Sequence, residues 1–522
     1  MRTRPKVLLI GLDAAEISCM EKWVAEWHLP FLRQLTEGGE FTRLSSSATE
    51  FPDTIWPSIY TSSNPAKIGK YYYIQPKRGS MSLELVDDVP CHLEQFWRIA
   101  SEAGRSCAIV DVPKTDLGPP VNGIQVVGWG AHATHCKAAS HPPELIKHLR
   151  RRHGPYRLHS CDDHGLSPKE YRKLRTNLIE GARLRTELFL DLMQSDDWDL
   201  FFGAYAESHC SGHQFWHLQD PGHPDYDPDN LHGLQDSMRE IYGEIDRGIG
   251  RLIEAAGKDT HVLIFSGHGM RPQYHGRDLL PLLLKMWGMA RAKNITPDPA
   301  HERRLVWKKS WLRRIKDTVP ISWQYAVKNM LPSKIENALV CRMMGAERLP
   351  ADWRAFYVPN NDLNSAIRLN VKGRDPEGRV APGREYDDLI NWLVTRLREL
   401  VNPVTGRPAV EKVSRIQEIY QGPYQDLLPD LTALWSREAP IKELYSPGYG
   451  TVVGTHSDLR TGGHAVEGFL ILRSSGAQLG EIGNASIKDL APTVLDLLDV
   501  PIPSTMEGHS LAARTTSPAL SG

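Results

Sequence analysis

Three short apolar runs, each ending in polar residues, constrain this chain more than any other feature. They are "KVLLIGLD" (6–13), "WDLFFGAYAESHC" (198–210) and "THVLIFSGHGM" (260–270). A run of six or seven apolar residues bounded by charge reads as a strand buried on both faces. Amphipathic helical patterns precede the second and third runs, over 175–196 and 234–257. A further helical pattern over 20–39 is interrupted at Pro30 and stops at Gly38 and Gly39. Alternation of this kind predicts an α/β fold with a mostly parallel central sheet between layers of helices. In such sheets chemistry gathers at the carboxyl ends of the strands, where Asp13, His209 and His268 fall.

The periodicity weakens into Trp- and Lys-rich helical stretches from Arg277 to Arg354 and then returns. The expected organisation is a first core part over 1–276, an insertion or cap over 277–354, and a closing core part over 355–522. One basic helical stretch, Val306 to Lys316, is expected on the surface of that insertion. At 522 residues and 41 % hydrophobic content the chain can bury a large core. A formal net charge of −1 excludes bulk electrostatic attraction to nucleic acid or anionic membrane. No run reaches eighteen apolar residues, so no membrane span is expected. The seven cysteines are odd in number, scattered and without a CxxC pair, which predicts a reduced, soluble, cytoplasmic protein.

His209 and His213 are four residues apart, which on a helix places both imidazoles on one face, able to hold one metal. His464, in the glycine-rich "GGHAVEGFLIL", is the third candidate, with His456 as a weaker competitor. Three imidazoles leave a coordination position open for water or substrate. His268 sits between two glycines after a strand, and Asp13 ends a strand. Each has a structural alternative: His268 as a turn residue, Asp13 as a helix N-cap. In "EFPDTIWPSIYTSSNPAKIG" (50–69), Thr54 is the first choice of nucleophile, set just before a helix N-terminus where a phosphate ester is favoured. Thr49 and Ser58 compete with it, and Thr54 has its own structural alternative as a helix cap. Trp56 and Lys114 are candidate substrate contacts, and Arg271 is a further cation placed for an anion.

These segments resemble, in order, the alkaline phosphatase superfamily, in particular its bacterial type I phosphodiesterase/nucleotide pyrophosphatase-like branch. "VLLIGLDAAE" is similar to the opening strand with its metal-binding aspartate, and "TIWPSIYTSSNPAKIG" to the nucleophile segment T-x-P-A-W-x-S-x-x-T-G. "ESHCSGHQFW" resembles D-x-x-x-H followed by F-W, and "FSGHGM" resembles S-D-H-G. The resemblance implies two metal positions, usually zinc. One is made of D-x-x-x-H and the late histidine; the other is made of the first aspartate, the nucleophile and the Asp-His pair. The chain departs from this pattern at three places. His209 and Gly267 stand where the family has aspartates, and the usual threonine falls on Pro52 when Trp56 and Thr61 are held in register.

The implied function is metal-dependent hydrolysis of phosphate esters, diester or monoester, through a metal-activated Thr54. The ligands would be Asp13, His209, His213, His268 and His464. The cofactor would be zinc, with iron and manganese as alternatives and a second ion in question, and the partner a small anionic substrate. Two alternatives stand beside it: a single-metal, three-histidine enzyme working at a centre other than phosphorus, and a non-catalytic ligand-binding descendant.

Overall fold

The computed structural model describes residues 6–86, 92–130, 138–156, 166–290, 298–306, 349–361, 363–454, 460–475 and 483–512. The basic stretch beyond Val306, most of the expected insertion, His456, and Cys91, Cys136, Cys161 and Cys341 lie outside them. The remaining three cysteines are free thiols. Among the described residues no helix is long and apolar enough to cross a membrane.

The main sheet has nine strands: β1 (Lys6–Leu12), β2 (Glu40–Ser45), β3 (Cys107–Val110), β4 (Gly123–Val127), β5 (Ala139–His141), β6 (Leu200–Tyr205), β7 (Thr260–Ser266), and two late strands. The intervening short strands used below are β8 (Gly269–Pro272) and β9 (Gly462–Ala465), and the late pair are β10 (Gly468–Arg473) and β11 (Ala485–Ser486). Their order across the sheet is β11-β2-β10-β7-β1-β6-β3-β4-β5. Pairing is parallel along β7-β1-β6-β3-β4, with β10 and β5 entering antiparallel. The expected α/β fold with a mostly parallel sheet is the observed one.

The apolar runs are strands because both of their faces are covered. In β1, Leu8, Ile10 and Leu12 enter one core layer, while Val7 and Leu9 enter the other. The first layer is built largely by helices α2 (Pro168–Met193), α3 (Glu207–Gln219) and α4 (Ser237–Ala256), the second by α1 (Ile55–Thr61) and α5 (Leu490–Leu497). A separate core joins residues 279–289, the described start of the expected insertion, to later strands and the helix Arg384–Arg398.

A buried charge network fixes the entry to α3. Arg185 of α2 donates to Asp111 Oδ2 at 2.7 Å and to Glu207 Oε1 at 3.1 Å, and all three side chains are fully buried. Its remaining nitrogen donates to the Gly130 carbonyl at 2.6 Å, and Tyr156 donates to Glu207. Asp111 also accepts the backbone N–H groups of Trp129 and Gly130. One guanidinium therefore ties the end of β3 to the first turn of the helix that carries His209 and His213. Removing one member of a buried ion network strands the others, at a cost of about 3–5 kcal/mol. Arg185→Ala is expected to lower unfolding free energy by about that amount in urea titrations; a loss below about 1 kcal/mol would contradict the network's role.

Candidate metal and phosphoester site

The carboxyl ends of β7, β1 and β6 lie side by side, which brings the three polar run-ends together. Their backbones are cross-linked: the Asp13 N–H donates to the Tyr205 carbonyl at 2.8 Å, and Ser208 Oγ to the Asp13 carbonyl at 2.7 Å. Ser266 Oγ accepts from the Ala15 N–H and donates to the His268 carbonyl.

Helix α3 is buried over most of its length and carries His209 and His213 on adjacent turns. Strand β8 pairs antiparallel with β9 in a register that sets Met270 opposite His464. The ring centroids of His209, His213 and His464 lie 4.5, 4.9 and 5.2 Å apart. Their ligand atoms fall within 4.8 Å of one another, the only such group of three or more His, Cys, Asp or Glu residues among those described. His268 lies beside them, its ring centroid 4.9 Å from that of His464 and tilted to it.

The outward nitrogens are pinned. His213 Nδ1 donates to the Gly462 carbonyl at 2.6 Å, and His464 Nδ1 donates to Asn361 Oδ1 at 3.0 Å. A carbonyl or amide oxygen can only accept, so Nδ1 carries a proton in both rings, and in the neutral ring Nε2 carries the lone pair. His209 Nε2 lies 3.0 Å from His464 Nε2. Oriented imidazoles with their far N–H groups bonded are the usual support of a metal-binding histidine. These residues fit one divalent cation with a preference for nitrogen ligands.

The surroundings of the family's second metal position differ from the pattern that the resemblance implies. Asp13 Oδ1 accepts the indole N–H of Trp56 at 2.9 Å. A Cβ at Gly267 would lie 2.4 Å from Ile55 Cγ2 and 3.1 Å from Ile59 Cδ1. Isoleucine packing from α1 thus occupies the space of the family's missing aspartate, and a β-branched side chain in a helix has little rotameric freedom to yield it.

Thr54 is the N-cap residue of α1, but its hydroxyl caps nothing there. It donates to the Phe51 carbonyl at 2.8 Å and bonds Ser47 Oγ at 2.7 Å, at 1 % exposure. Lys114, with φ +58°, pairs with Asp53 beside Thr54 at 3.2 Å, and its carbonyl accepts from Tyr60. Ser58 Oγ is buried with no hydrogen-bond partner, and Thr49 ends a short 3-10 turn. The structure thus groups four histidines, joins Asp13 to Trp56, and ties Thr54 to Phe51 and Ser47 and Lys114 to Asp53. The N-cap of the first helix after β1 is Glu16, not Asp13.

Sequence reasoning missed Asn361 and Arg460, whose Nη1 lies 3.3 Å from His213 Nε2. It also missed the contacts of His217, on α3, and of His223, just beyond it. His217 Nδ1 bonds Thr461 Oγ1 at 3.1 Å, and His223 Nε2 bonds the Thr461 carbonyl at 3.1 Å. These clamp β9 to α3, whose backbones touch so closely that a Cβ at Gly462 would lie 2.0 Å from the Gly212 carbonyl oxygen. Burial, reinforced by His223, lowers the His217 pKa to about 4. Burial lowers His223 as well, against the pull of Asp225.

Three outcomes follow. Asn361→Ala frees the His464 ring and should weaken metal binding by about 10–100-fold in chelator competition; unchanged affinity would remove Asn361 from the site. Gly267→Asp should lose about 1–3 kcal/mol of stability from overpacking and take up no additional metal. Folded His217 resists protonation while the unfolded chain takes up a proton near 6.5. Its contribution to stability is therefore lost as pH falls from about 6.5 to about 4. The drop in melting temperature between pH 7 and pH 5 should be smaller in His217→Gln; an equal drop would contradict the clamp's titration.

The type I phosphodiesterase/nucleotide pyrophosphatase family matches residues 7–314, more than half of the chain. No curated protein matches the chain significantly. Among solved structures, phosphonoacetate hydrolase from Sinorhizobium meliloti 1021 in complex with phosphonoformate superposes with a TM-score of 0.53 at 13 % identity, covering 95 % of this chain and 96 % of that one. Its complex with phosphonoacetate gives 0.52 at 12 % identity over the same shares. Murine ectonucleotide pyrophosphatase/phosphodiesterase 5 is similar at 11 % identity and a TM-score of 0.45, with 96 % of each chain covered. The fold is alkaline phosphatase-like, and the chain belongs to the type I phosphodiesterase/nucleotide pyrophosphatase family.

Proposed function

We propose that the chain is a phosphoester hydrolase whose cluster of His209, His213 and His464 holds one divalent cation. The observation that carries this reading is the pair of pinned Nδ1 atoms, on Gly462 and Asn361, which turns two Nε2 lone pairs inward. Zinc suits an all-imidazole set best, with iron and manganese as alternatives. A cation there supplies Lewis acidity toward a phosphoryl oxygen. His268 borders the cluster. Asp13, bonded to the Trp56 indole, acts by holding α1 against the end of β1.

Thr54 is the proposed nucleophile. It stands at the head of α1, with a hydroxyl not used for capping. Attack requires it to turn away from the Phe51 carbonyl; the Oγ–P bond would form as the ester P–O bond breaks, with the hydroxyl proton passing to solvent or to the departing oxygen. Lys114, paired with Asp53 next to Thr54, is the proposed partner for a substrate oxygen. A second reading, with water as nucleophile, is favoured by the two bonds that hold the Thr54 hydroxyl and by its burial.

The test is hydrolysis of bis-p-nitrophenyl phosphate and p-nitrophenyl phosphate after loading with zinc, manganese or iron. His464→Ala should lose activity to the background rate. Thr54→Ala should lose at least about 10³-fold if it forms the covalent intermediate. Near-normal turnover in Thr54→Ala would replace it by water, and absence of hydrolysis with any metal would overturn the proposed function.

A further inference from the structure

Arg460 stands beside the proposed coordination space without being a ligand. Its Nη1 lies 3.3 Å from His213 Nε2. Because His213 Nδ1–H is committed to the Gly462 carbonyl, that Nε2 carries the lone pair, and Arg460 is its donor. The same lone pair cannot serve a guanidinium N–H and a cation together. Loading the cluster therefore requires the Arg460 side chain to leave this position.

Its backbone cannot go far. Thr461, the next residue, donates its N–H to the His213 carbonyl at 3.0 Å, and its hydroxyl and carbonyl bond His217 and His223. Gly462, one residue on, holds His213 itself. The Cα of Arg460 is thus anchored beside the cluster, and a displaced guanidinium remains within a side chain's reach of the open coordination position.

The charge arrangement says what it meets there. Three neutral imidazoles compensate none of a cation's charge, and the one carboxylate carried over from the family pattern, Asp13, is engaged by Trp56. The space of a second carboxylate is filled by Ile55 and Ile59. Arg437, the other arginine in contact with the cluster, donates to the His464 carbonyl and so braces the backbone. Site and guanidinium together select an oxyanion, and the planar fork of arginine matches two oxygens of a tetrahedral phosphoryl or sulfuryl group.

We propose that Arg460 covers the His213 ligand atom in the metal-free protein and, once displaced, binds the oxyanion of the substrate in place of a second metal. This rests on the reading of the three-histidine cluster as a metal site. The roles have opposite signs for one substitution. Removing the side chain removes a competitor for zinc but also removes an anion contact.

The experiment titrates zinc into wild type, Arg460→Ala and Arg460→Lys against a chromophoric chelator, then titrates inorganic phosphate into the zinc-loaded proteins by calorimetry. Melting temperatures of the metal-free proteins control for folding. Arg460→Ala should bind zinc as tightly as wild type or up to about tenfold more tightly, while phosphate affinity falls at least about tenfold. Arg460→Lys should recover part of the phosphate affinity. Unchanged phosphate affinity in Arg460→Ala would overturn the proposal, as would parallel weakening of zinc and phosphate, the mark of a merely structural residue. If wild type itself takes up no zinc, manganese or iron, the failure lies in the metal-site reading and is recognised before any variant is compared.

Discussion

The bond from His213 Nδ1 to the Gly462 carbonyl, 2.6 Å long, is the interaction on which the site depends. It is available because two glycines let the backbones of α3 and β9 meet without intervening side chains. The bond sets the His213 tautomer, and the same contact brings His464, two residues along β9, against His209. The Thr461 clamp to His217 and His223 secures the neighbouring turn. A strand remote in sequence is thereby locked to the helix that follows β6. The charge network of Arg185, Asp111 and Glu207 fixes the other end of that helix.

The site is asymmetric for a packing reason as well as a compositional one. Replacing an aspartate by Gly267 removes a ligand, but the structure adds that Ile55 and Ile59 have closed the volume around it. Asp13 remains at the end of β1 and serves as the acceptor for Trp56. What is left is an all-imidazole site beside an apolar wall, with cationic side chains nearby. On the proposed reading, such a site would meet developing negative charge with one cation and arginine, where a two-metal site would place a second cation.

Much of this was legible in the sequence. The apolar runs ending at Asp13, Glu207 and Ser266 gave the central strands, because burial on both faces leaves an unbroken apolar pattern. The four-residue spacing of His209 and His213 gave a shared helical face, and the glycine-rich segment before a late strand offered His464 as the third imidazole. Asn361 and Arg460 were not legible. Their roles come from tertiary position alone, on a loop after the strand Ala355–Val358 and on the approach to β9, and neither residue has a local pattern. The bonding of Thr54 to Phe51 and Ser47 was hidden for the same reason: a hydroxyl before a helix reads as a cap or a nucleophile, and here it does not cap. The isoleucines packed around Gly267 needed coordinates, since a glycine in sequence does not say what fills its space.

The central claim is that a single cation sits among His209, His213 and His464. Elemental analysis of protein purified without chelator, combined with anomalous scattering from its crystals, tests this most directly. The account predicts about one metal per chain, with its anomalous peak between the three Nε2 atoms and none beside Asp13. Two metals per chain, with a peak at Asp13 and His268, would contradict the closed second position. No uptake after incubation with zinc, manganese or iron would contradict the metal site itself.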